Sequence, residues 1–288
     1  MTKLLFSLFF LSFGVWNIFQ PKQSTKLVLP TPTMCHSLAA DDMRQFALDP
    51  AFQALHPAPQ ELDYEELGRM TTFPTADGVA ANAYFLKAKK KSKKWLFVYQ
   101  EWWGLNDNIK QQADVFYKDL GENVNVLAID MYDGKVTKDP KEAGKFMSES
   151  KEPRLENIVK GAMSFAGKKA KIANVGWCFG GSWSLKSAIL GEKQTVGSVM
   201  YYGMPVNDVE KLKTLNCDVL GLFATEERIS KTIIETFADN MNKANKGLNY
   251  KIFEAAHGFA NPSNPKHDVE KSKVAYAMAI AYLKGKLK

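Results

Sequence analysis

Cysteine is scarce. The 288 residues carry three, Cys35, Cys178 and Cys217. An odd number without regular spacing is no disulfide framework, and no pair has the spacing of a zinc site. No C-x-x-C pair or neighbouring resolving thiol is present, which argues against a redox-active thiol protein. Internal repeats are missing. No expected strand runs into G-x-G-x-x-G and no G-x-x-x-x-G-K-[ST] occurs, so nucleotide binding is unsupported. Acid is absent from the start of the chain, with no Asp or Glu before Asp41. Much of the formal net charge of +7 sits in local runs, the lysines of 87–94 and Lys284, Lys286 and Lys288. A nucleic-acid surface would interleave aromatics or carry a recognisable module. Neither is there, so 87–94 reads as a solvated loop and no nucleic-acid partner is expected.

What is there begins with a leader. Met1-Thr2-Lys3 precedes an apolar run from Leu4 to Phe19, interrupted by Ser7, Ser12, Gly14 and Asn17. A basic start before an apolar stretch reads as a secretory signal peptide over 1–23. A retained membrane anchor through residues 4–19 is one alternative, and an unused start another. The expectation is export to the periplasm or medium, or attachment by the N-terminus, with a cytoplasmic location if the start is unused. Residues 24–40, rich in Pro and Thr, read as a linker. Residues 41–288 are expected to form one domain, in keeping with a hydrophobic share of 45%. A monomer is expected.

Within that domain, 41–55 reads as a short amphipathic helix ending at His56-Pro57-Ala58-Pro59, with His56 as a surface turn residue. Residues 70–86 read as a β-hairpin turning at Asp77-Gly78. Strands and helices then alternate. Strands are expected at 95–100, 125–130, 171–175, 196–202, 218–224 and 249–254. Helices are expected at 106–120, 139–148, 153–167, 182–190, 206–215, 231–246 and 267–284. This pattern predicts a mainly parallel sheet with helices on both faces and an N-terminal hairpin.

The most specific stretch is Gly176-Trp177-Cys178-Phe179-Gly180-Gly181. It lies between the apolar strand 171–175 and a helical segment. A strand that turns sharply into a helix, with glycines framing one reactive residue, is the nucleophile elbow of α/β-hydrolases, written G-x-S-x-G. Here the tip is Cys178. A lone cysteine is ordinarily a small buried hydrophobe; the glycine frame and the strand-to-helix context favour the reactive reading.

In parallel sheets, ligands sit beyond the carboxyl ends of the strands. Four marked segments fall at such ends: Glu101-Trp102-Trp103-Gly104, the Cys178 elbow, Thr225-Glu226-Glu227, and His257. Chain order gives nucleophile, acid, base, the α/β-hydrolase order. A thiol needs a nearby base to become the attacking thiolate. His257 can take that proton and return it to the leaving oxygen. A carboxylate behind it would fix the tautomer and stabilise the imidazolium. Backbone N–H groups would hold the oxyanion, that of Phe179 at the helix start and, from the loop after the earlier strand, that of Trp102. Trp102 and Trp103 either line the pocket or pack; Tyr201 and Tyr202 lie at a strand end near it.

These residues resemble the dienelactone hydrolases over roughly 41–283. The resemblance rests on Gln100-Glu101-Trp102-Trp103-Gly104-Leu105-Asn106, on Gly176 to Gly181, and on His257-Gly258-Phe259-Ala260-Asn261-Pro262. It implies a single-domain α/β-hydrolase fold, a Cys–His–Asp triad, no metal or organic cofactor, and hydrolysis of an enol-lactone or related ester. Cys178 and His257 carry over, as does Glu101, which the resemblance places beside the nucleophile with a part in its ionisation. Two positions depart. No Asp stands in the acid loop; alignment puts Glu227 in its place, with Glu226 one register away. An arginine that grips the substrate carboxylate would stand shortly after the histidine, where this chain has Asn261. Lys141 and Lys145 lie in a plausible region for such a grip without aligning to it. The expected function is hydrolysis of a small carboxylic ester or lactone by Cys178, His257 and Glu227 through an acyl-thioester. The alternative is a decayed α/β-hydrolase-fold binding protein.

Overall fold

The computed structural model describes residues 42–288. The leader reading of 1–23, the linker reading of 24–40 and the membrane attachment through 4–19 lie outside them, as do Cys35 and His36. Among the described residues, no helix is long and apolar enough to cross a membrane.

The chain enters through a 3₁₀ turn, Met43–Phe46, and a short helix α1, Pro50–Ala54. Strands β1 (Arg69–Phe73) and β2 (Ala81–Leu86) form the hairpin, antiparallel from the pair Arg69 and Phe85 to the pair Phe73 and Ala81. The alternation follows: β3 (Lys94–Tyr99), α2 (Asp107–Asp119), β4 (Asn125–Ile129), α3 (Pro140–Glu149), α4 (Glu152–Ala166), β5 (Lys171–Trp177), α5 (Phe179–Leu190), β6 (Thr195–Tyr201), α6 (Val209–Lys213), β7 (Val219–Ala224), α7 (Lys231–Lys243), β8 (Leu248–Phe253) and α8 (Val269–Lys286).

The strands form one sheet in the order β1-β2-β4-β3-β5-β6-β7-β8. β2 meets β4 antiparallel, and the pairings from β4 through β3 to β8 are parallel. Central strands are covered on both faces, so they need continuous apolar runs. Val219–Ala224 and Asn125–Ile129 are buried at every position. Helix α5 is apolar on nearly all sides and correspondingly buried. β3 lies between β4 and β5, so the chain leaves β3 toward one side and β5 toward the other. The crevice that such a switch opens at the carboxyl ends is the place for a site.

The segment 41–55 differs from the single helix that its apolar spacing predicts. Pro50 occupies the first turn of α1, where its missing N–H does no harm, and Asp49 caps that turn by accepting from the Ala51 N–H. The helix therefore restarts at Pro50.

An ion cluster fastens this segment to the body. Arg44 Nη2 pairs with Asp42 Oδ2 at 2.6 Å and also with Glu152 of α4. Lys186 of α5 reaches Asp42 Oδ2 at 2.9 Å and Glu152 Oε1 at 3.1 Å. Burial works against the Asp42 carboxylate, but the hydrogen bond from Arg44 and the charge of Lys186 outweigh it and hold its pKa down to about 2. A depressed carboxylate contributes stability above its unfolded value that is lost as pH falls through the folded one. Converting the depression gives roughly 2 kcal/mol. Asp42→Asn should therefore lower the unfolding free energy at pH 7 by about 2–4 kcal/mol. In urea titrations the gap to the parent protein should close as pH falls from about 4 to about 2.

Candidate active site

The elbow follows from close packing at three positions. Cys178 has φ 54° and ψ −117°, a left-handed conformation that costs a non-glycine residue roughly 1–3 kcal/mol. Its N–H donates to Tyr201 O at 3.0 Å. A Cβ on Gly176 would stand 2.1 Å from Gly180 O, and one on Gly180 would stand 2.3 Å from Tyr99 O. Only glycine lets β5, α5 and β3 come this close. The thiol is thereby raised above the sheet end at the first turn of α5, where helix N–H groups are unpaired. The Phe179 N–H of that turn works against the rise of the Cys178 pKa.

His257 and its partner come from the other end of the sheet. β7 and β8 are in register from Val219–Leu248 to Ala224–Phe253. Beyond them, the Thr225 N–H and hydroxyl both donate to Phe253 O, at 2.9 and 3.0 Å. This ties the loop after β7 to the loop that carries His257. The carboxylate that reaches the histidine is Glu226, with Oε1 at 2.7 Å from His257 Nδ1. Glu227, assigned by alignment, is exposed and has no part in this contact. Both glutamates lie past Ala224, the last residue of β7, so the course of the loop decides which carboxylate turns to the histidine. With a carboxylate acceptor at Nδ1, the neutral ring carries its proton there and turns the Nε2 lone pair inward. Burial opposes the charged ring, but Glu226 and then Cys178 outweigh it and raise the His257 pKa well above the usual histidine value.

Glu101, two residues past β3, is also buried. Its Oε1 accepts from the Tyr202 hydroxyl at 3.3 Å and its Oε2 from the Asn261 amide. Asn261 thus holds a carboxylate of the protein. Burial pushes the Glu101 pKa up to about 7, against the lowering effects of His257, Asn261 and Tyr202. Burial likewise pushes the Cys178 thiol up; His257 pulls it down and Glu101 adds to the rise. Tyr202, at a strand end, packs its ring 4.8 Å from that of His257, whereas Tyr201 stacks on Trp177.

Sequence reasoning missed His56. It is buried, not a surface turn residue, and its ring centroid lies 4.9 Å from that of His257 and 4.6 Å from that of Trp102. His56 Nδ1 meets Phe52 O at 2.7 Å. Burial, then the nearby charge of His257, lowers its pKa to about 3, so the ring is neutral. Arg228 anchors this wall, pairing with Asp49 at 2.5 Å and lying over the Phe52 ring. Lys266 Nζ donates to Leu55 O at 2.8 Å and the Gln60 N–H to Ser263 O at 2.7 Å. The ring of Trp102 packs against Phe52 and Trp103, and its backbone belongs to the loop that follows β3. Lys145 pairs with Glu149 on α3 and Lys141 is exposed there. Beside the site, a cleft of about 340 Å³ is lined by Gln60, Leu105, Asn106, Val136 and Ser263 among others.

A buried thiol at a helix N-terminus, facing an imidazole backed by a carboxylate, can deliver a thiolate to an electrophilic carbon and store the released proton.

The family model of the dienelactone hydrolase family matches residues 81–286. Protein usf of Aquifex pyrophilus is 26% identical over 234 residues, spanning 76% of this chain and 98% of its own. A dienelactone hydrolase of Anabaena variabilis superposes with a TM-score of 0.58 at 14% identity, covering 78% of this chain and all of its own. A dienelactone hydrolase-like promiscuous phosphotriesterase from metagenomic libraries gives 0.64 at 17%, covering 77% of this chain and 99% of its own.

Because an ionised Glu101 opposes the thiolate, Glu101→Gln should move the pH midpoint for alkylation of Cys178 by iodoacetamide downward. The alkylation rate measured against pH, with protein assayed for modification at Cys178 by mass, checks this; an upward or absent shift would contradict the electrostatics described.

Proposed function

The chain belongs to the dienelactone hydrolase family, and from that premise we propose that it hydrolyses a carboxylic ester or lactone through Cys178, His257 and Glu226. The observation that carries the reading is the bond of 2.7 Å from Glu226 to His257, on a histidine that faces a cysteine at a strained elbow.

The reaction follows from the groups present. The Cys178 thiol passes its proton to His257 Nε2 as sulfur attacks the substrate carbonyl carbon. Glu226 stabilises the imidazolium and keeps the ring turned. The N–H of Phe179 and that of Trp102 receive the developing oxyanion, at roughly 3–4 kcal/mol per donor. The tetrahedral intermediate collapses as the C–O bond breaks, and the alkoxide leaves with the proton from His257. A lactone would stay tethered at this stage, its ring opened into a thioester that carries a hydroxyl. Water then gives a proton to His257 and attacks the thioester, which releases the acid and restores the thiol. The raised thiol pKa fits proton transfer during attack, with no standing thiolate.

The acyl group is proposed to be uncharged near Asn261. The position that would carry a gripping arginine bears an amide already bonded to Glu101, and Arg228 is paired with Asp49. On an ester and lactone panel, kcat/KM should be higher for neutral acyl groups than for matched anionic ones.

Cys178→Ala should abolish turnover of activated esters. Glu226→Ala should lower kcat by about 10²-fold or more, while Glu227→Ala should stay within about twofold. Full activity in the Cys178 variant would refute the mechanism, and the reverse ranking of the two glutamates would refute the assignment of the acid.

A further inference from the structure

The proposed hydrolysis uses one histidine, and the site has two. His56 turns Nδ1 to the Phe52 carbonyl and His257 turns Nδ1 to the Glu226 carboxylate, at 2.7 Å each. In its neutral form each ring therefore donates its proton outward and keeps a lone pair on Nε2. Both Nε2 atoms are buried, and neither has a hydrogen-bond partner. His56 is 6% exposed and His257 7%. One ligand atom each from His56, His257 and Cys178 lie within 4.8 Å of one another. A buried acceptor without a donor costs roughly 1–3 kcal/mol.

This is also how proteins prepare histidine for a metal. A ligating imidazole donates its other N–H to a carboxylate or a backbone carbonyl, which fixes the tautomer and aims the free nitrogen. Here both partner types occur, one on each ring. Two imidazoles and one thiolate form a borderline-soft donor set that suits zinc and rejects magnesium and calcium. Bonds of about 2.0–2.3 Å in a tetrahedral site place neighbouring ligand atoms roughly 3.3–3.7 Å apart, so closing the three side chains by about 1 Å is enough. His56 precedes the residues 81–286 that match the family model, so the third ligand comes from the N-terminal segment.

We propose that His56, Cys178 and His257 together bind one zinc ion, and that the bound ion withholds the thiolate from substrate. As the zinc–sulfur bond forms, the thiol proton leaves to solvent, and both imidazoles coordinate in neutral form. A water completes the fourth position. The metal site stands apart from the hydrolytic reading; the block on turnover rests on that reading.

Chelator-treated full-length protein titrated with zinc chloride in a calorimeter should bind one equivalent. Cobalt(II) in place of zinc should give a thiolate-to-metal charge-transfer band, absent in Cys178→Ser. His56→Ala should weaken zinc binding by more than the roughly 10–100-fold typical of losing an outer partner. His56→Asn keeps a polar side chain near Phe52 O and replaces the alanine variant if that one does not fold, as circular dichroism will show. Zinc should inhibit ester turnover of the parent protein with a midpoint that matches its binding constant. No stoichiometric zinc in the parent, or unchanged affinity in a folded His56 variant, would overturn the site. Turnover that persists with one zinc bound would overturn the block. A parent protein that binds zinc but turns over no ester would count against the hydrolase reading and leave the metal site standing.

Discussion

The constraint on which the site depends is the absence of any room for a side chain at Gly176 and Gly180. Each would place a Cβ well inside the contact distance of a backbone carbonyl. That closeness lets β3, β5 and α5 over-determine the backbone between them, and so Cys178 persists at a positive φ that it would otherwise leave. The sheet order then does the rest. β3 and β5 are neighbours, with Tyr99 paired to Gly176, so Glu101 and Cys178 emerge side by side. β7 and β8 end together and place Glu226 behind His257.

Glu101, Cys178 and His257 share this dry space, and their order of preference decides which of them can carry a charge. Burial raises both Glu101 and Cys178, and each disfavours the other's charge. His257 alone has a committed counter-charge, since Glu226 is bonded directly to it. Once the thiol proton moves to His257, the positive charge is therefore best placed on the imidazole, against Glu226. A thiolate forms at the cost of its own desolvation and of repulsion from Glu101. In the proposed reaction, a carbonyl substrate would remove that cost by taking the charge onto its oxygen, within reach of helix N–H groups. The low dielectric that penalises a thiolate would strengthen the same donors once an oxyanion forms.

Much of this is legible in the sequence, for reasons that can be named. Buried parallel strands must be apolar throughout, so their positions stand out. Glycines at a strand-to-helix turn mark a close approach of backbones around the residue they frame. The order of Cys178, a carboxylate and His257 at strand ends follows from those strands. The rest is not written locally. Glu226 and Glu227 differ by one residue past a strand end, where the backbone leaves its period of two and parity cannot be carried forward. The bond from Asn261 to Glu101 joins positions 160 apart, and nothing near either predicts it. In 41–55 the apolar spacing points to one helix, whereas Pro50 sets a new start within it. The prolines beside His56 suggest a surface turn, whereas its burial is decided by Trp102 and His257.

That last case shows what the N-terminal segment contributes. The segment from Asp42 to Gln60 is fastened at several separated points: the Asp42, Arg44, Glu152 and Lys186 cluster, the Asp49 to Arg228 pair, and the backbone contacts of Leu55 and Gln60. Only the first lies mostly on α4 and α5. The others reach the loops after β7 and β8, which also carry Glu226 and His257. Phe52 and His56 are held between these attachments and pack on Trp102 and His257. A ligand that reaches Cys178, 1% exposed, must therefore displace or thread past a wall tied to the acid and base loops. Access to the thiol and the placement of its partners are mechanically linked, because the same residues secure both.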